Sequence, residues 1–312
     1  VAMRKQSPSA SHDEPVSRWR YVALAPLDVD QQVALARLKS VADPKALLVA
    51  IETEHVQEFA KRPLDFIELC EDWNASGQIR GHRDQIESDI STKLKPNPDR
   101  DEPAELSAQK AREGAERLAL AALMTRKFAF WHGTDTGRGR GEGALDPAQV
   151  LMDWTPLEVR TLLERALFGF ATYSRVRFHN RSVIEYLAAE RLRGLLARGL
   201  ALRTLHRLLF VTTPVGLDLV RPTMQPVAAW LAPWFPSVMT RILQRDPSVL
   251  LCFGDPGVLD PAMRARALER YVAVYGTGGW RGLHVPALQA RRLATSALAP
   301  TIQRLWATGI EN

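Results

Sequence analysis

The chain has 312 residues, of which 46% are hydrophobic and 24% charged, and 41 Lys and Arg against 35 Asp and Glu give a formal net charge of +6. This composition is typical of a globular protein of two or three domains, and it excludes a disordered tail and a disulfide scaffold. The charge is uneven, since residues 1–150 hold 21 basic and 24 acidic residues, whereas residues 151–312 hold 20 Arg, no Lys and 11 acidic residues. The basic excess therefore belongs to the C-terminal half.

The two cysteines, Cys70 and Cys252, each lie in an apolar run. They form neither a CxxC metal pair nor a disulfide framework, so we predict two core thiols in a reducing, cytoplasmic environment. Arg or Glu interrupts every leucine-rich run, and no apolar stretch approaches the roughly 20 residues needed to span a bilayer. The chain begins at Val1 with a polar Ser/Pro segment and no signal-peptide pattern, so we expect a piece of a longer protein.

Helix start signals recur along the chain. In an Asp-Pro pair the carboxylate accepts first-turn N–H groups, and the proline lacks a donor that would have no partner there. Two capping boxes, Thr155 with Glu158 and Ser182 with Glu185, predict helix starts at residues 156 and 183. The Asp-Pro pairs begin at residues 43, 146, 246, 255 and 260. Together these signals predict about twelve short helices.

Strand patterns are confined to the middle of the chain, at residues 128–132 and 171–180. A glycine-rich run at residues 133–141 lies between them and is predicted to form a wing. The fold expected is mainly α, with a helical bundle, then a winged-helix domain containing a small β-hairpin, and then an irregular α-helical array. Period two in the second strand predicts two faces, Val176, Phe178 and Asn180 on one and Arg175, Arg177 and His179 on the other.

Domain boundaries are predicted where proline and charge accumulate. Residues 95–103 contain three prolines among charged residues and are typical of a linker. After residue 196, short amphipathic helices alternate with proline-rich corners and follow no strict period. The predicted division is a flexible tail or a remnant of a nucleotide-binding domain at 1–17, a helical domain at 18–98, a winged-helix domain at 99–196 and a helical repeat-like domain at 197–312.

The residues supply little catalytic chemistry. No GxxxxGK[ST] sequence occurs, and the glycines of residues 133–143 have only Arg as a cation, which favours a solvated turn over a phosphate cradle. The seven histidines fit no HExxH or Cys/His spacing, so no metal site is predicted. Glu68, Glu71 and Asp72 resemble a Walker B acidic pair, but the helical pattern around them favours a solvated helix face.

The densest basic run, residues 175–181, lies on the predicted winged helix and raises the question of nucleic-acid binding. The predicted recognition-like helix, residues 156–168, balances two Glu against two Arg, so its attraction for phosphates is weak. A charged strand edge is therefore favoured over a nucleic-acid interface.

Residues 178–189, Phe-His-Asn-Arg-Ser-Val-Ile-Glu-Tyr-Leu-Ala-Ala, resemble the end of the winged-helix domain in NACHT-type STAND NTPases, whose motif reads roughly F-x-H-x-S-x-x-E-Y-L-A-A. Residues 19–28 are similar to the strand that leaves the nucleotide-binding domain of that family. Residues 60–69 are similar to the helical-domain segment whose proline faces the adenine, and residues 246–256 to the helical region that follows the winged helix in large bacterial members. The resemblance covers about residues 18–270.

The resemblance implies the regulatory portion of a signalling NTPase in prokaryotic antiphage defence, with a P-loop domain upstream and sensor repeats downstream. ADP or ATP with Mg²⁺ is the implied nucleotide of the full-length parent, and these 312 residues alone are expected neither to bind it tightly nor to hydrolyse ATP. The implied partners are its own P-loop domain, further protomers of a homo-oligomer and a phage or other protein ligand of the downstream repeats, with no membrane. The alternatives are a helical-repeat scaffold for protein partners without nucleotide and, with less support, a winged-helix DNA-binding protein.

Three residues are implied as nucleotide contacts. Pro63 matches the proline that covers the adenine, and it is equally a helix start. Asn180 stands where the histidine of the family reaches the β-phosphate, so a neutral amide replaces a charge-assisted donor. His179 is adjacent, but period two directs it to the other face, and it would substitute only after a one-residue shift of the strand. No catalytic residue and no metal ligand is predicted.

Overall fold

The computed structural model describes residues 25–96, 101–133, 143–171, 174–216, 218–276 and 285–309. These residues are mainly helical, with two small sheets. The predicted tail at 1–17 lies outside the described residues, as do residues 97–100 of the predicted linker. The chain divides into two compact units, residues 1–80 and residues 81–312. Among the described residues, no helix is long and apolar enough to cross a membrane.

The first unit contains four described helices, and a side chain caps the first two of them. Asp28 and Asp43 accept N–H bonds from the first turns of the first two helices. The fourth helix ends at Gly77, whose φ of 67° lies in the left-handed region that glycine adopts without strain. The helices are α1 (Val29–Leu38), α2 (Pro44–Thr53), α3 (Gln57–Ala60) and α4 (Pro63–Ser76). The core side chains, each at most 2% exposed, are Leu47, Ile51, Val56, Phe59, Phe66 and Leu69.

Helix α4 confirms two expectations from the sequence. The acidic residues compared with a Walker B pair belong to this helix, and Asp72 among them accepts a bond from Arg80 at 2.6 Å. Cys70 is a buried free thiol, and Cys252 in the second unit is another. Burial raises the pKa of both thiols to about 11, so they remain protonated at neutral pH.

The second unit begins with a helical and β-sheet region. Its elements are α5 (His82–Lys93), α6 (Ala108–Thr125), β1 (Ala129–Trp131), β2 (Ala144–Leu145), α7 (Pro147–Val150), α8 (Pro156–Glu164), β3 (Phe168–Phe170), β4 (Arg175–Phe178) and α9 (Arg181–Ala197). The sheet has the order β2-β1-β4-β3, in which β1 and β2 are parallel and the other pairs antiparallel. The succession α6, β1, α7, α8, β3, β4, with β4 between β1 and β3, is the winged-helix arrangement that the sequence predicted.

The sheet differs from the prediction in two respects. It has four strands instead of one hairpin. The glycine-rich run predicted to be the wing, of which residues 134–142 lie outside the described part, joins the parallel strands β1 and β2, whereas the antiparallel strands consecutive in the chain are β3 and β4. A wing connects consecutive antiparallel strands, so its place in this chain is between β3 and β4, where residues 172 and 173 lie outside the described part.

Two boundaries of the winged helix also differ from the prediction, while one capping box is confirmed. Thr155 and Glu158 exchange the backbone bonds expected at the start of α8. This helix ends at Glu164 instead of residue 168, because the backbone of Arg165 turns extended, with ψ of 154°. Helix α9 begins at residue 181 instead of 183, and the predicted box of Ser182 with Glu185 does not form.

The remainder of the second unit is a series of short helices with a two-stranded hairpin. Its elements are α10 (Leu202–Leu209), β5 (Phe210–Thr212), β6 (Asp218–Val220), α11 (Gln225–Leu231), α12 (Pro236–Arg245), α13 (Ser248–Cys252), α14 (Pro261–Tyr275), α15 (Ala287–Leu293) and α16 (Ala299–Gly309), with 3-10 turns at Pro222–Met224, Pro256–Val258 and Ser296–Leu298. The β5–β6 hairpin was not predicted, because three-residue strands are too short to show alternation.

Four of the five Asp-Pro signals are confirmed as caps. The side chains of Asp43, Asp146, Asp255 and Asp260 each accept a first-turn N–H. Asp246 does not cap, because α13 begins two residues later, at Ser248, whose hydroxyl donates to the Asp246 carboxylate instead.

Helices α6 and α9 pack together in the core of the second unit. Their contact uses small side chains, so the two backbones approach closely. Gly114 of α6 is closely packed, since an added Cβ would lie 2.5 Å from the Trp154 ring and 2.7 Å from a Leu162 methyl group. The small buried residues of the two helices are Ala111, Gly114, Ala115, Ala119, Ala122, Ala188 and Ala189.

Candidate functional site

The site implied by the sequence lies where β4 passes into α9. Val176 and Phe178 of β4 are buried and Arg177 is exposed, which confirms the predicted alternation of faces. The Phe178 ring lies 4.5 Å from the Phe168 ring and 5.6 Å from the Phe130 ring, in a tilted and an edge-on arrangement. These aromatic contacts stabilise the end of the strand and therefore fix the position of the next two residues.

Asn180 is the N-cap of α9. Its backbone is extended, with φ −129° and ψ 135°, and its Oδ1 accepts a hydrogen bond of 3.0 Å from the Ser182 N–H. The amide Nδ2 has no acceptor among the described residues. The residue therefore uses its carbonyl oxygen to hold the helix start, while its two N–H donors remain available to a ligand.

The charged neighbours of Asn180 are compensated. Arg181 donates to the Glu185 carboxylate at 3.0 Å, and its guanidinium carbon lies 4.2 Å from the centroid of the Phe128 ring. This ion pair replaces the predicted capping box, since Glu185 reaches one turn back along the helix and not to Ser182. Burial raises the pKa of Glu185, and the nearby Arg181 offsets part of that effect.

His179 lies on the opposite face from Val176 and Phe178, as the alternation predicted. Its N–H donates to the Leu167 carbonyl at 3.3 Å, which ties it to the strand β3 side of the sheet. Its ring lies directly over Gly169, where an added Cβ would come within 2.6 Å of Cε1. The pairing of Phe168 with Phe178 fixes the register, so the one-residue shift that would bring His179 to the position of Asn180 is not seen.

Pro63 belongs to the first unit, where it is the first residue of α4. Its ring is exposed, and the preceding Arg62 has an extended backbone with its N–H bonded to the Phe59 carbonyl at 3.1 Å. A proline at this position serves the helix start, as predicted, because the first helical N–H has no intrahelical partner. The exposed ring is also free to cover a flat apolar group.

Helix α9 supports the site from behind. Along one face of this helix, Ile184, Leu187, Ala188 and Leu192 are at most 4% exposed, whereas Leu195 is only half-buried. Tyr186 is also buried and meets the Trp230 ring edge-on at 5.1 Å. The helix start is therefore anchored to the core of the second unit and is held rigidly.

The recognition-like helix α8 has compensated charges, in agreement with the sequence. Arg160 donates to Glu164 at 2.7 Å, and Glu158 accepts from Lys110 at 2.5 Å. Ion-paired groups contribute little net attraction for nucleic-acid phosphates.

Two arginine features were missed from the sequence. Arg165, which was counted as a surface charge of α8, is buried and bonds to the Glu102 carboxylate through two contacts of 2.9 Å. A group of four arginines on α10 and α12 surrounds a cleft. The spacing of these four residues, two pairs at i and i+4, was the available signal, but nothing in the sequence shows that the two helices are neighbours.

No protein-family model matches this sequence, and no curated protein is significantly similar to it.

Proposed function

We propose that the chain is the regulatory part of a NACHT-like STAND ATPase, which senses nucleotide state and takes part in oligomerisation in prokaryotic antiphage defence. The observation that carries the proposal is the motif at residues 178–189, which spans the end of a winged-helix strand and the start of a buried helix. At this junction the Nδ2 of Asn180 has no acceptor among the described residues. Cytoplasmic action fits the two protonated free thiols.

The residues present fit a nucleotide in part. When ADP or ATP with Mg²⁺ is bound by the P-loop domain, the phosphates supply negative charge and the adenine an apolar face. Asn180 would donate its Nδ2–H to a phosphate oxygen, and the exposed Pro63 ring would cover the base. His179 is a weaker candidate, because its ring lies over β3.

The nucleotide acts as a switch only if it contacts these residues differently in two states of the protein. A neutral amide gives a weaker hydrogen bond to phosphate than a protonated histidine would. The chain therefore holds ADP less firmly than a relative with histidine at this position. The proposed partners are the P-loop domain, further protomers and a phage or other protein ligand of downstream repeats.

Asn180 is also the N-cap of α9, so a test of its contact with the nucleotide needs substitutions that keep the cap. Asp and Ser cap helices about as well as Asn, so Asn180→Asp and Asn180→Ser should leave the free energy of unfolding within about 0.5 kcal/mol of the wild type. Both remove the amide donor, and Asp also places a negative charge beside the phosphate. In the protein that carries this chain with its P-loop domain, we expect Asn180→Asp to release a fluorescent ADP at least about tenfold faster, with Ser intermediate.

Asn180→His should slow ADP release, although it costs about 1 kcal/mol of stability through loss of the cap. Unchanged ADP release in all three variants would contradict the role of Asn180. A coding region upstream of Val1 without GxxxxGK[ST] would contradict the STAND proposal as a whole and favour the protein-binding scaffold.

A further inference from the structure

A cleft of about 330 Å³ in the second unit is lined by Arg203, Arg207, Arg241 and Arg245. Helix α10 places the first two of these residues one turn apart, and α12 places the other two one turn apart. Residues at i and i+4 share one helix face, so each helix directs a pair of guanidinium groups to the cleft. This site is independent of the junction at β4 and α9.

The positive charge of the cleft is poorly compensated. Residues 197–245 contain six arginines and a single acidic residue, Asp218. Asp218 pairs with Arg245 at 3.0 Å, whereas Arg203, Arg207 and Arg241 form no ion pair with any described residue. Like charges at i and i+4 destabilise a helix, and Asp218 offsets the charge of only one of the four arginines.

Two of the four arginines lie against an aromatic ring. The guanidinium carbons of Arg241 and Arg245 lie 5.4 and 5.1 Å from the centroid of the Phe210 ring, at the start of β5. The contact with this ring restricts the motion of both guanidinium groups. His206 also lines the cleft, and its Nε2 lies 3.1 Å from the Ser237 hydroxyl.

We propose that this cleft binds a small anion carrying at least two phosphate groups. Guanidinium forks match the oxygens of phosphate, and four of them around one cavity match two adjacent phosphates better than a single carboxylate. The volume is at the lower end for ligand sites, which suits a diphosphate group. Burial, with Arg241 and Arg245 nearby, lowers the pKa of His206.

A nucleic-acid strand fits the cleft less well. Single-stranded nucleic acids bind through aromatic faces on which the bases stack. The one aromatic ring beneath the arginines, Phe210, is only 5% exposed, and two guanidinium groups cover it. Among the described lining residues, the cleft therefore offers several donors for phosphate, and His206 is its one aromatic ring that two guanidinium groups do not cover.

The test is calorimetric titration with inorganic pyrophosphate at pH 7 and constant ionic strength. Arg203→Gln combined with Arg241→Gln should weaken binding about 100-fold, at about tenfold for each lost charge-assisted contact. The matched control is Arg37→Gln with Arg266→Gln, two exposed arginines outside the cleft, which changes the net charge equally and should weaken binding less than about twofold. Circular dichroism checks that each variant is folded.

A second measurement does not depend on the variants. In the wild type, pyrophosphate should raise the pKa of His206, seen in its ring proton NMR signals, because a nearby anion favours the protonated ring. The proposal is overturned by an absence of saturable pyrophosphate binding up to about 1 mM, by equal losses in cleft and control variants, or by an unmoved His206 signal. Tighter binding of an oligonucleotide than of pyrophosphate, abolished by the cleft variant, would overturn the assignment to a small molecule.

Discussion

Replacing Arg165 by Met tests whether a buried arginine holds the start of the winged-helix region together. The Arg165 side chain is 1% exposed and joins Nε and Nη2 to the two oxygens of Glu102 at 2.9 Å each. It also donates to the backbone carbonyls of Leu94 and Leu106, the latter at 2.7 Å. One side chain thus connects the end of α8 to both sides of the predicted linker.

The cost of the substitution can be worked from these contacts. Breaking a buried ion pair costs about 3–5 kcal/mol, because the remaining charge loses its partner. The Glu102 side chain is 19% exposed and can regain some water, so we expect the lower part of this range, about 3 kcal/mol. For a unit of this size, that corresponds to a fall in the melting temperature of about 6–12 °C. The stability of Arg165→Lys should lie between those of the wild type and Arg165→Met, since an ammonium group keeps the charge but cannot form the two parallel bonds of the guanidinium group.

The assay is urea unfolding at pH 7 followed by circular dichroism. Arg160→Met is the matched control, because it removes another Arg–Glu pair from the same helix, but one whose arginine is 56% exposed. We expect this control to change the free energy of unfolding by less than about 0.5 kcal/mol. A loss below about 1 kcal/mol for Arg165→Met, or equal losses in the two variants, would refute the reasoning.

Two further predictions concern the core of the second unit. Gly114→Ala should lower the free energy of unfolding by about 1–3 kcal/mol, because the added Cβ would lie 2.5 Å from the Trp154 ring. Gly194→Ala has no neighbour closer than 3.7 Å and should raise the free energy of unfolding by up to about 1 kcal/mol. Equal effects of the two variants in urea unfolding would contradict this prediction. Burial lowers the pKa of His82 to about 3, so the folded state binds fewer protons than the unfolded state below pH 6.5. The free energy of unfolding should therefore fall on acidification from pH 6.5 by up to about 1.4 kcal/mol per pH unit. His82→Phe, which keeps an aromatic ring stacked on Trp230, should reduce this dependence on pH. An unchanged pH dependence of stability in this variant would contradict the role of His82.

Local signals along the chain predicted the helix starts well. Asp43, Asp146, Asp255, Asp260 and the Thr155 box cap helices where the sequence placed them. These signals act over three or four residues, so the sequence contains all the groups involved. The predicted box of Ser182 with Glu185 does not form, because Asn180 caps the helix and Glu185 pairs with Arg181.

Asn180 and Arg181 lie close to Ser182 in the sequence, but the partners that these side chains take depend on tertiary packing. Asn180 caps the helix two residues after Phe178, whose ring packs in the aromatic cluster of the sheet, and Glu185 pairs with Arg181, whose guanidinium lies over Phe128. The motif led to the prediction of a site at this junction. The division of roles within Asn180, in which its oxygen caps and its amide N–H groups remain available, could not.

By itself the sequence determined the helical class, the small sheet in the middle of the chain, the two core thiols and the uneven charge, since these follow from composition and from short-range spacing. Only the tertiary structure decided that β2 pairs parallel with β1, that Arg165 is an internal clamp and that the arginines of α10 and α12 face one cleft. In each of these cases the interacting groups are distant in the chain. Their proximity depends on how the helices and strands pack, and no local pattern encodes that packing.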